Sequence, residues 1–349
     1  MGAILRKPLP GPLDTILIVT DRARTRALTA AIGLFFLVGA VVLAWNIPLP
    51  LVAYSPGPVT DATDSITVEG ATTYDTDGEL VMLTVAGQDI NAFEALVAAV
   101  DPTVDVLARQ VVRRPDESDE DYRRRNLELM DQSVQAAITV ALSRVDRPEG
   151  QSAVYVTGYA ADTPAGEVLE IGDRIVALGG QRIEAAEALA TVVQSNSPGD
   201  RVPLEVERDG QVLSYEVELV AREDDPDSPM IGIYVRQLPF WIDIDTGIVG
   251  GPSAGMMYTL AIIDVLTPGS LTGGHVVAGT GTIDLEGNVG EVGGVRQKVV
   301  AAEAAGAEYM LVPAGNLAAA ESAPRGDMEL VAVETIDDAL AFLDGLASD

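Results

Sequence analysis

A serine among small residues stands at the mouth of an almost wholly apolar stretch, GIVGGPSAGMMYTLAIIDVL (residues 247–266). Glycines beside Ser253 would let a substrate carbonyl approach the backbone closely, and Pro252 is well placed to open a helix. The free N–H groups and positive dipole end of that helix would stabilise an oxyanion. The stretch therefore predicts a nucleophilic serine, and a serine that only caps a buried helix is the alternative.

His275, the only histidine of the chain, is one candidate for the base that takes the proton of Ser253. The G-x-S-x-G pattern at 251–255 is also that of α/β-hydrolases, whose triad runs in the order serine, acid, histidine. The acid between them would have to be Asp264, which lies on the same predicted helix as the serine. An esterase using Ser253 and His275 is therefore one interpretation, although His275 is expected to begin a strand.

Lys298 is the second candidate base. The chain has 20 arginines but only two lysines, Lys7 and Lys298. Arginine stays protonated in proteins, whereas a desolvated lysine becomes a neutral amine. In the predicted helix GVRQKVVAAEAAG, Lys298 shares a face with apolar side chains, and we expect it to be partly buried. These side chains are Val295, Val299 and Ala302.

To act as a base near neutral pH, Lys298 must have a pKa well below the usual value for lysine. Its pKa must fall by about 3 units, which corresponds to a penalty of roughly 4 kcal/mol on the charged form. Burial beside apolar groups supplies shifts of that size. The alternative is a lysine whose stem covers apolar surface while its amine stays in water.

The N-terminal part contains an apolar core, ALTAAIGLFFLVGAVVLAW (27–45), which matches the ~20 residues that a helix needs to cross a bilayer. Basic residues precede it and none follows until Arg109, so the positive-inside rule places the bulk of the chain outside the cytoplasm. A cleaved signal peptide is the alternative to this uncleaved anchor. The expected bounds are a cytoplasmic leader at 1–26, a transmembrane helix at 27–49 and a proline-rich extended linker at 50–65.

The remainder alternates strand-like and helix-like patterns, which predicts an α+β fold. Residues 66–86 alternate like a hairpin that turns at Asp77–Gly78, and residues 89–146 are predicted to be helical. Short β runs then surround one helix-like insert at 184–195, and mixed strands and helices fill the region from 230 onward.

Composition limits the partners and cofactors. A net charge of −31 and a pI near 4.1 argue against a nucleic-acid partner. The absence of cysteine excludes disulfides, a thiolate nucleophile and cysteine-based metal sites. Neither lysine follows a glycine, so the chain has no P-loop and no ATP is expected. We expect no metal and no cofactor.

The stretch DTPAGEVLEIGDRIVALGGQRI (162–183) resembles bacterial PDZ domains, in which a Pro-Ala turn leads to a Gly-Asp pair before a buried strand. The resemblance implies a PDZ domain over 148–222. Such a domain binds an extended peptide end by adding it to a sheet edge. A small β module that only braces its neighbours is the alternative.

Three further motifs together resemble the proteolytic domain of the Lon family, in the same order and with similar spacing. They are GPSAG (251–255), TGTIDLEGNVGEVGGVRQKVVAAEAAG (280–306) and MELVAVETIDDALAFL (328–343). The resemblance implies that Ser253 is the nucleophile, Lys298 its base and Thr280 a hydrogen-bonding partner. It also places backbone groups around the oxyanion, at Gly251, Pro252, Ala254 and Gly255.

The chain departs from that family in one motif residue and in its lack of an ATPase. Gly250 stands where many Lon proteases have an acidic residue. Without a P-loop, the chain resembles the membrane-anchored, PDZ-containing branch of Lon-like proteases. The PDZ domain would then be inserted between residues 66–147 and 223–349 of one Lon-type α/β catalytic domain.

The resemblance implies an ATP-independent serine endopeptidase on the extracytoplasmic side of a membrane. It would cleave unfolded or extended polypeptides captured with help from the PDZ domain. A single N-terminal helix would anchor it, and assembly into a homo-oligomeric, hexameric ring is typical of the family. A catalytically silent, membrane-tethered PDZ adaptor is the alternative from another functional class.

Overall fold

The computed structural model of the protein describes residues 12–145, 152–160, 163–247 and 249–347. Residues 1–11 of the predicted leader and the predicted domain boundary at 147/148 lie outside this part. The chain divides into two compact units. The first comprises Met1–Pro56 with Val85–Glu117, and the second comprises Gly57–Thr84 with Ser118–Asp349.

The helices and strands have the following bounds. The helices are α1 (Pro12–Trp45), α2 (Ala92–Ala98), α3 (Arg109–Val112), α4 (Asp119–Arg144), α5 (Ala186–Gln194), α6 (Gly255–Leu266), α7 (Val295–Ala304), α8 (Leu317–Glu321) and α9 (Ile336–Leu346). The strands are β1 (Pro48–Asp61), β2 (Ile66–Glu69), β3 (Glu79–Asn91), β4 (Asp105–Ala108), β5 (Ala153–Tyr159), β6 (Arg174–Leu178), β7 (Gln181–Arg182), β8 (Arg201–Arg208), β9 (Gln211–Glu218), β10 (Val220–Ala221), β11 (Pro229–Met230), β12 (Ile233–Leu238), β13 (Trp241–Ile244), β14 (Val276–Gly279), β15 (Thr282–Ile283), β16 (Val289–Gly290), β17 (Tyr309–Pro313) and β18 (Glu329–Val333).

The first unit contains one helix whose length and composition suit a membrane span. Within α1, the stretch Arg26–Trp45 has 20 residues, a mean hydropathy of 2.5 and no buried part. The helix ends at Trp45, four residues before the predicted bound at 49, because prolines follow at 48 and 50 and a chain leaves the helical conformation before proline.

Strand β1 replaces the linker that was predicted at 50–65. Its first part pairs antiparallel with β4, in a register that sets Leu51 opposite Ala108. Burial alternates at the two ends of the strand, and the prolines at 48, 50 and 58 occupy exposed positions. The period-2 pattern of a strand was therefore present, and the prolines that suggested a spacer lie where the strand faces solvent.

The second unit contains a parallel sheet in the order β3, β14, β17, β18. Both faces of this sheet are buried. In β3, Leu80 and Met82 join the core formed with α4, α6 and α9, whereas Val81 and Leu83 join the core formed with α7 and α8. A strand that is buried on both faces is a continuous apolar run rather than an alternating one.

The predicted hairpin at 66–86 is wrong. Strand β2 pairs antiparallel with β13, and β3 pairs in parallel with β14. Gly78, at φ 77°, turns the chain into β3 but does not connect two paired strands. The predicted helical region 89–146 contains α2, α3 and α4, and it also contains strand β4.

A separate sheet and core lie between α4 and β13 in the chain. The sheet has the order β12, β5, β6, β8, β9, with β7 paired to β6, and α5 packs on its own apolar cluster. Strand β12 pairs antiparallel with β5, although the sequence assigned residues from 223 onward to the following domain. After β12 the chain returns to the core that α4 and α6 share.

Candidate active site

Ser253 lies in a single 3-10 turn, Pro252–Ala254, directly before α6. Gly251 begins the turn at φ 94°, which an L-residue with a side chain rarely adopts. The N–H of Gly251 donates to the carbonyl oxygen of Asn126 at 2.8 Å, and Ser133 Oγ donates to the carbonyl oxygen of Pro252 at 2.9 Å. Two residues of α4 therefore hold the turn in place.

The segment after β14 forms the opposite wall of the site. The N–H of Gly281 donates to the carbonyl oxygen of Ser253 at 2.9 Å, and the N–H of Met256 donates to the carbonyl oxygen of Gly281 at 3.1 Å. Thr280 Oγ1 donates to the same Ser253 carbonyl at 3.0 Å. These bonds fix the backbone on both sides of the serine.

Lys298, on the first turn of α7, reaches the serine from this wall. Its Nζ lies 2.7 Å from Ser253 Oγ and 2.7 Å from Thr280 Oγ1, and it donates to both. The side chain is only 2% exposed, so it is more deeply buried than the sequence predicted. The structure therefore brings the three predicted residues Ser253, Thr280 and Lys298 into one hydrogen-bonded group.

Burial changes the protonation of Lys298. Desolvation disfavours the ammonium form and lowers the pKa of Lys298 from its ordinary value of 10.5 to about 7. Burial therefore favours the neutral amine over the ammonium form. A neutral amine offers one lone pair to the Ser253 hydroxyl and still donates an N–H to Thr280 Oγ1.

Only some of the residues predicted to bind the oxyanion have a backbone N–H that is free to do so. The N–H of Gly251 is already donated to Asn126, the N–H of Gly255 donates to the carbonyl oxygen of Pro252, and proline has no N–H. Gly251, Pro252 and Gly255 therefore shape the turn rather than offer donors. The amides of Ser253 and Ala254, at the start of α6, are the remaining candidates around the nucleophile.

His275 lies directly before β14 and is occupied elsewhere. Its Nδ1 shares a 3.0 Å hydrogen bond with Glu308 Oε2, and its ring packs edge-on against Tyr309 at a centroid distance of 5.5 Å. Asp264, the acid that an esterase triad would need, accepts the N–H of Leu271 at 2.8 Å. The Ser253 hydroxyl is bonded to Lys298 and not to His275.

The close approach of α4 explains two glycines of the motif. A Cβ at position 250 would lie 2.9 Å from Asn126 Cβ, so an acidic side chain does not fit there. A Cβ at position 255 would lie 2.5 Å from Ser133 Oγ and 2.7 Å from Ile283 Cγ2. Sequence analysis missed Asn126 and Ser133, and the only signal for them was a polar serine on the buried face of α4.

A groove of about 480 Å³ separates α5 from the edge strand β12. Its lining is mostly apolar and comes from α5, β11, β12 and neighbouring loops, and it also includes the charged residues Arg222, Glu223 and Asp224. The main contributors are Leu189, Ala190, Val193, Ile231, Ile233 and Val235. Strand β12 has no partner strand on this side within the described sheet, so the groove offers space and backbone groups for an added strand.

Within the described residues, no three histidine, aspartate or glutamate side chains cluster closely enough to hold a metal ion.

Two protein-family models match the chain. Residues 241–343 match the Lon protease (S16) C-terminal proteolytic domain, and residues 132–219 match a PDZ domain. The chain therefore contains a Lon-type proteolytic domain, which is of the serine protease class, together with a PDZ domain and one apolar N-terminal helix. The expected α+β fold class and the resemblance to Lon are confirmed.

Curated relatives agree with this result. The Lon protease of Campylobacter concisus is 30% identical over 192 residues, which are 53% of this chain and 24% of that protein. The Lon protease of Phenylobacterium zucineum is 43% identical over 93 residues, 26% of this chain and 12% of that protein. The chain thus covers no more than about a quarter of either relative.

Among solved structures, one match is a bacterial PDZ domain. The PDZ domain of an SdrC-like protein from Listeria monocytogenes is 25% identical, with a TM-score of 0.23; the match covers 25% of this chain and 92% of that chain.

Proposed function

We propose that the chain is an ATP-independent serine endopeptidase with Ser253 as its nucleophile and Lys298 as its general base. The observation that carries this proposal is the 2.7 Å contact between the buried Lys298 Nζ and Ser253 Oγ. The lowered pKa of Lys298 supplies a neutral amine at physiological pH. The match of residues 241–343 to a proteolytic domain supports peptide-bond hydrolysis as the reaction.

In the proposed reaction, the neutral amine of Lys298 takes the proton of Ser253 Oγ as that oxygen attacks the substrate carbonyl carbon. The carbonyl oxygen becomes an oxyanion beside the amides of Ser253 and Ala254 at the positive end of α6. Lys298 then protonates the leaving amine, which completes the acyl-enzyme. A water attacks the ester while Lys298 takes its proton, and Lys298 returns this proton to Ser253 Oγ as the C–O bond breaks and the peptide leaves with a new carboxyl terminus.

Thr280 orients the base in this scheme. Its hydroxyl donates to the Ser253 carbonyl and accepts from Lys298, so it ties the amine to the backbone of the nucleophile. With one N–H of the amine committed to Thr280, the lone pair is directed at Ser253 Oγ. We therefore assign Thr280 as a positioning residue.

The proposed substrates are unfolded or extended polypeptides. The chain has no P-loop, so this activity needs no ATP and includes no motor for unfolding. The groove between α5 and β12 is suited to an extended peptide end with apolar side chains, which would add to the β12 edge. We propose that this groove captures substrate for the Ser253 site.

The proposed location is the extracytoplasmic face of a membrane, with α1 as a single-pass anchor. The apolar stretch Arg26–Trp45 is long enough to span the bilayer. Arginines precede it and none follows before Arg109, which favours a cytoplasmic N-terminus. A homo-oligomeric ring is proposed from the likeness to Lon proteases.

The test is hydrolysis of an unfolded protein such as casein by the full chain in lipid nanodiscs, without ATP. The parent is compared with Ser253→Ala, Lys298→Arg and His275→Ala. Arginine keeps the charge but cannot serve as a base. The proposal expects the parent and His275→Ala to cleave and the other two variants to be inactive.

Three outcomes would replace the proposal. Loss of activity in His275→Ala with retention in Lys298→Arg would favour the esterase-type pair. Cleavage by Ser253→Ala would exclude this serine as the nucleophile. If the parent neither cleaves nor reacts with a fluorophosphonate probe, the silent PDZ adaptor takes its place.

A further inference from the structure

Helix α2, in the first unit, presents a row of large apolar side chains on one face. Phe93, Leu96 and Val97 follow at positions i, i+3 and i+4 of α2, the spacing of one helical face, and Val100 lies in the turn two residues after the end of the helix. Leu96 is 71% exposed, Val97 52% and Val100 82%. We call these four side chains the α2 stripe. Contiguous exposed apolar surface of this kind marks a contact site with a partner or a membrane.

The α2 stripe begins where the apolar span of α1 ends. The rings of Trp45, the last residue of α1, and Phe93 pack at a centroid distance of 5.5 Å. The N–H of Ala92 donates to the carbonyl oxygen of Ile47 at 3.0 Å, so the first residue of α2 is tied to the chain just beyond α1. The 20 residues of Arg26–Trp45 are about 30 Å long, the thickness of the hydrocarbon core.

Trp45 therefore falls at the level of the lipid headgroups if α1 crosses the bilayer, and it is itself 56% exposed. Phe93 lies at the same level through its contact with Trp45. The rest of the α2 stripe continues from Phe93 along a helix that is only two turns long.

Local caps hold this short helix in shape. Asn91 Oδ1 accepts the N–H groups of Phe93 and Glu94, and Glu94 Oε2 accepts the N–H of Asn91. This reciprocal capping box satisfies the free N–H groups that a two-turn helix would otherwise leave unpaired. The apolar face is therefore formed before any contact with a partner.

The charged residues around the α2 stripe indicate which kind of membrane surface it can contact. Residues 85–117 contain six acidic residues and only three arginines. Arg109 forms an ion pair with Asp89 at 2.7 Å, and Arg113 lies 3.8 Å from the same carboxylate. There is no basic cluster here to attract anionic headgroups, so any attraction to a bilayer is apolar.

We propose that the α2 stripe, together with Trp45, rests in the headgroup and acyl-chain boundary of the outer leaflet of the membrane that α1 crosses. The proposal builds on the membrane anchoring under the proposed function. The anchor keeps α2 beside the bilayer, so a stripe of a few side chains is sufficient for lasting contact. This second contact would restrain the rotation of α1 about its own axis.

The test uses the absence of cysteine from the chain, which makes every introduced cysteine unique. Full-length Leu96→Cys and Val100→Cys carry a nitroxide in phosphatidylcholine nanodiscs, and electron paramagnetic resonance compares accessibility to oxygen and to a water-soluble nickel chelate. Phe36→Cys, 69% exposed in α1, is the lipid control. Val212→Cys, 62% exposed on β9, is the water control.

The proposal expects labels at 96 and 100 to resemble the label at 36, with oxygen accessibility exceeding nickel accessibility severalfold. Labels at 96 and 100 that resemble the label at 212 would overturn the proposal. Lipid contact of the label at 36 in the same experiment would still support the anchoring of the chain by α1. Shielding from both reagents with dipolar broadening would assign the stripe to a second copy of the chain. Lipid contact at 96 and 100 only in nanodiscs with anionic lipid would also overturn it.

Casein hydrolysis by the same labelled chains distinguishes a failure of the membrane-contact proposal from a failure of the proposed peptidase function. Water exposure at 96 and 100 with normal hydrolysis contradicts the membrane contact alone. Lipid contact without hydrolysis contradicts the peptidase alone.

Discussion

Ser133 donates a hydrogen bond from its hydroxyl to the carbonyl oxygen of Pro252 at 2.9 Å, although the two residues are 119 positions apart in the chain. Ser133 is 4% exposed, and the bond is partly buried. It joins the middle of α4 to the turn that presents Ser253. The shape of the nucleophile turn therefore depends on a helix that belongs to none of the three Lon-like motifs.

Replacement of Ser133 by alanine should weaken both fold and activity. It removes one of two donors to the Pro252 carbonyl oxygen, which keeps the N–H of Gly255, and the loss of one such hydrogen bond costs about 0.5–1.5 kcal/mol. Urea unfolding measures the change, and kcat on a short peptide is expected to fall because the turn is less constrained. Ser143→Ala is the matched control, since Ser143 also bonds a carbonyl oxygen on α4 but is exposed. Equal stability of the two variants would contradict the account.

Thr280→Val should lower kcat by about 100-fold, the scale of a misplaced catalytic group, whereas Thr280→Ser should stay near the parent. Valine removes the acceptor that Lys298 uses, and the charged amine loses more from this than the neutral one. The pKa of Lys298 should therefore fall further, and the acidic limb of the pH–rate profile should move below pH 7. A Thr280→Val enzyme with an unchanged profile would show that Thr280 is only a space-filling residue.

Asp264→Asn should change the pH dependence of stability. Burial raises the pKa of Asp264 from 3.8 to about 6, so the folded state holds this proton more tightly than the unfolded state. The stability that the protonated carboxyl contributes is full below pH 3.8 and is lost as pH rises through 6. Between pH 4 and 7, the free energy of unfolding of the asparagine variant should rise relative to that of the parent, by up to about 3 kcal/mol.

Urea unfolding of both chains across that pH range checks the prediction for Asp264. Asparagine keeps an acceptor for the N–H of Leu271, so the comparison isolates the charge. A difference between the two chains that is flat with pH would contradict the expected cost of ionisation.

Ala190→Arg tests the groove between α5 and β12. Ala190 is exposed and lines the groove, so an arginine there blocks it without entering the core. We expect a higher KM for an unfolded protein and an unchanged kcat for a short peptide that needs no capture. Thr191→Arg, at the next exposed position of α5, is the control. Equal kinetics of the two variants on unfolded protein would mean that the groove does not serve the active site.

The residues of the candidate site could be selected from the sequence because their signals are local. Ser253 and Lys298 each lie in a short motif with fixed spacing, and a chain with two lysines makes the second one conspicuous. The α4 contacts were not predictable, since Asn126 and Ser133 reach the turn only through tertiary packing. A backbone carbonyl acceptor such as that of Asn126 leaves no trace in the residue type.

The errors in predicting the fold from the sequence arose at strands whose burial does not follow the alternation of a half-buried strand. Strand β3 is covered on both faces, so its apolar run lost the alternation that would have identified its partners. Strand β1 has prolines at exposed positions, which hid its period. By contrast, the helix predicted in GVRQKVVAAEAAG is present as α7, and the face that it was predicted to bury, with Val295, Lys298 and Val299, is buried.

The pKa of Lys298 in the folded protein decides whether this lysine is the base for Ser253. A Lys7→Arg chain with ¹³C-labelled lysine has a single lysine, so one Cε resonance reports Lys298 alone. We predict that this resonance titrates with a midpoint near pH 7, because burial lowers the pKa of Lys298 to about 7. A midpoint near 10.5 would mean that the amine stays charged beside Ser253 and is not its base.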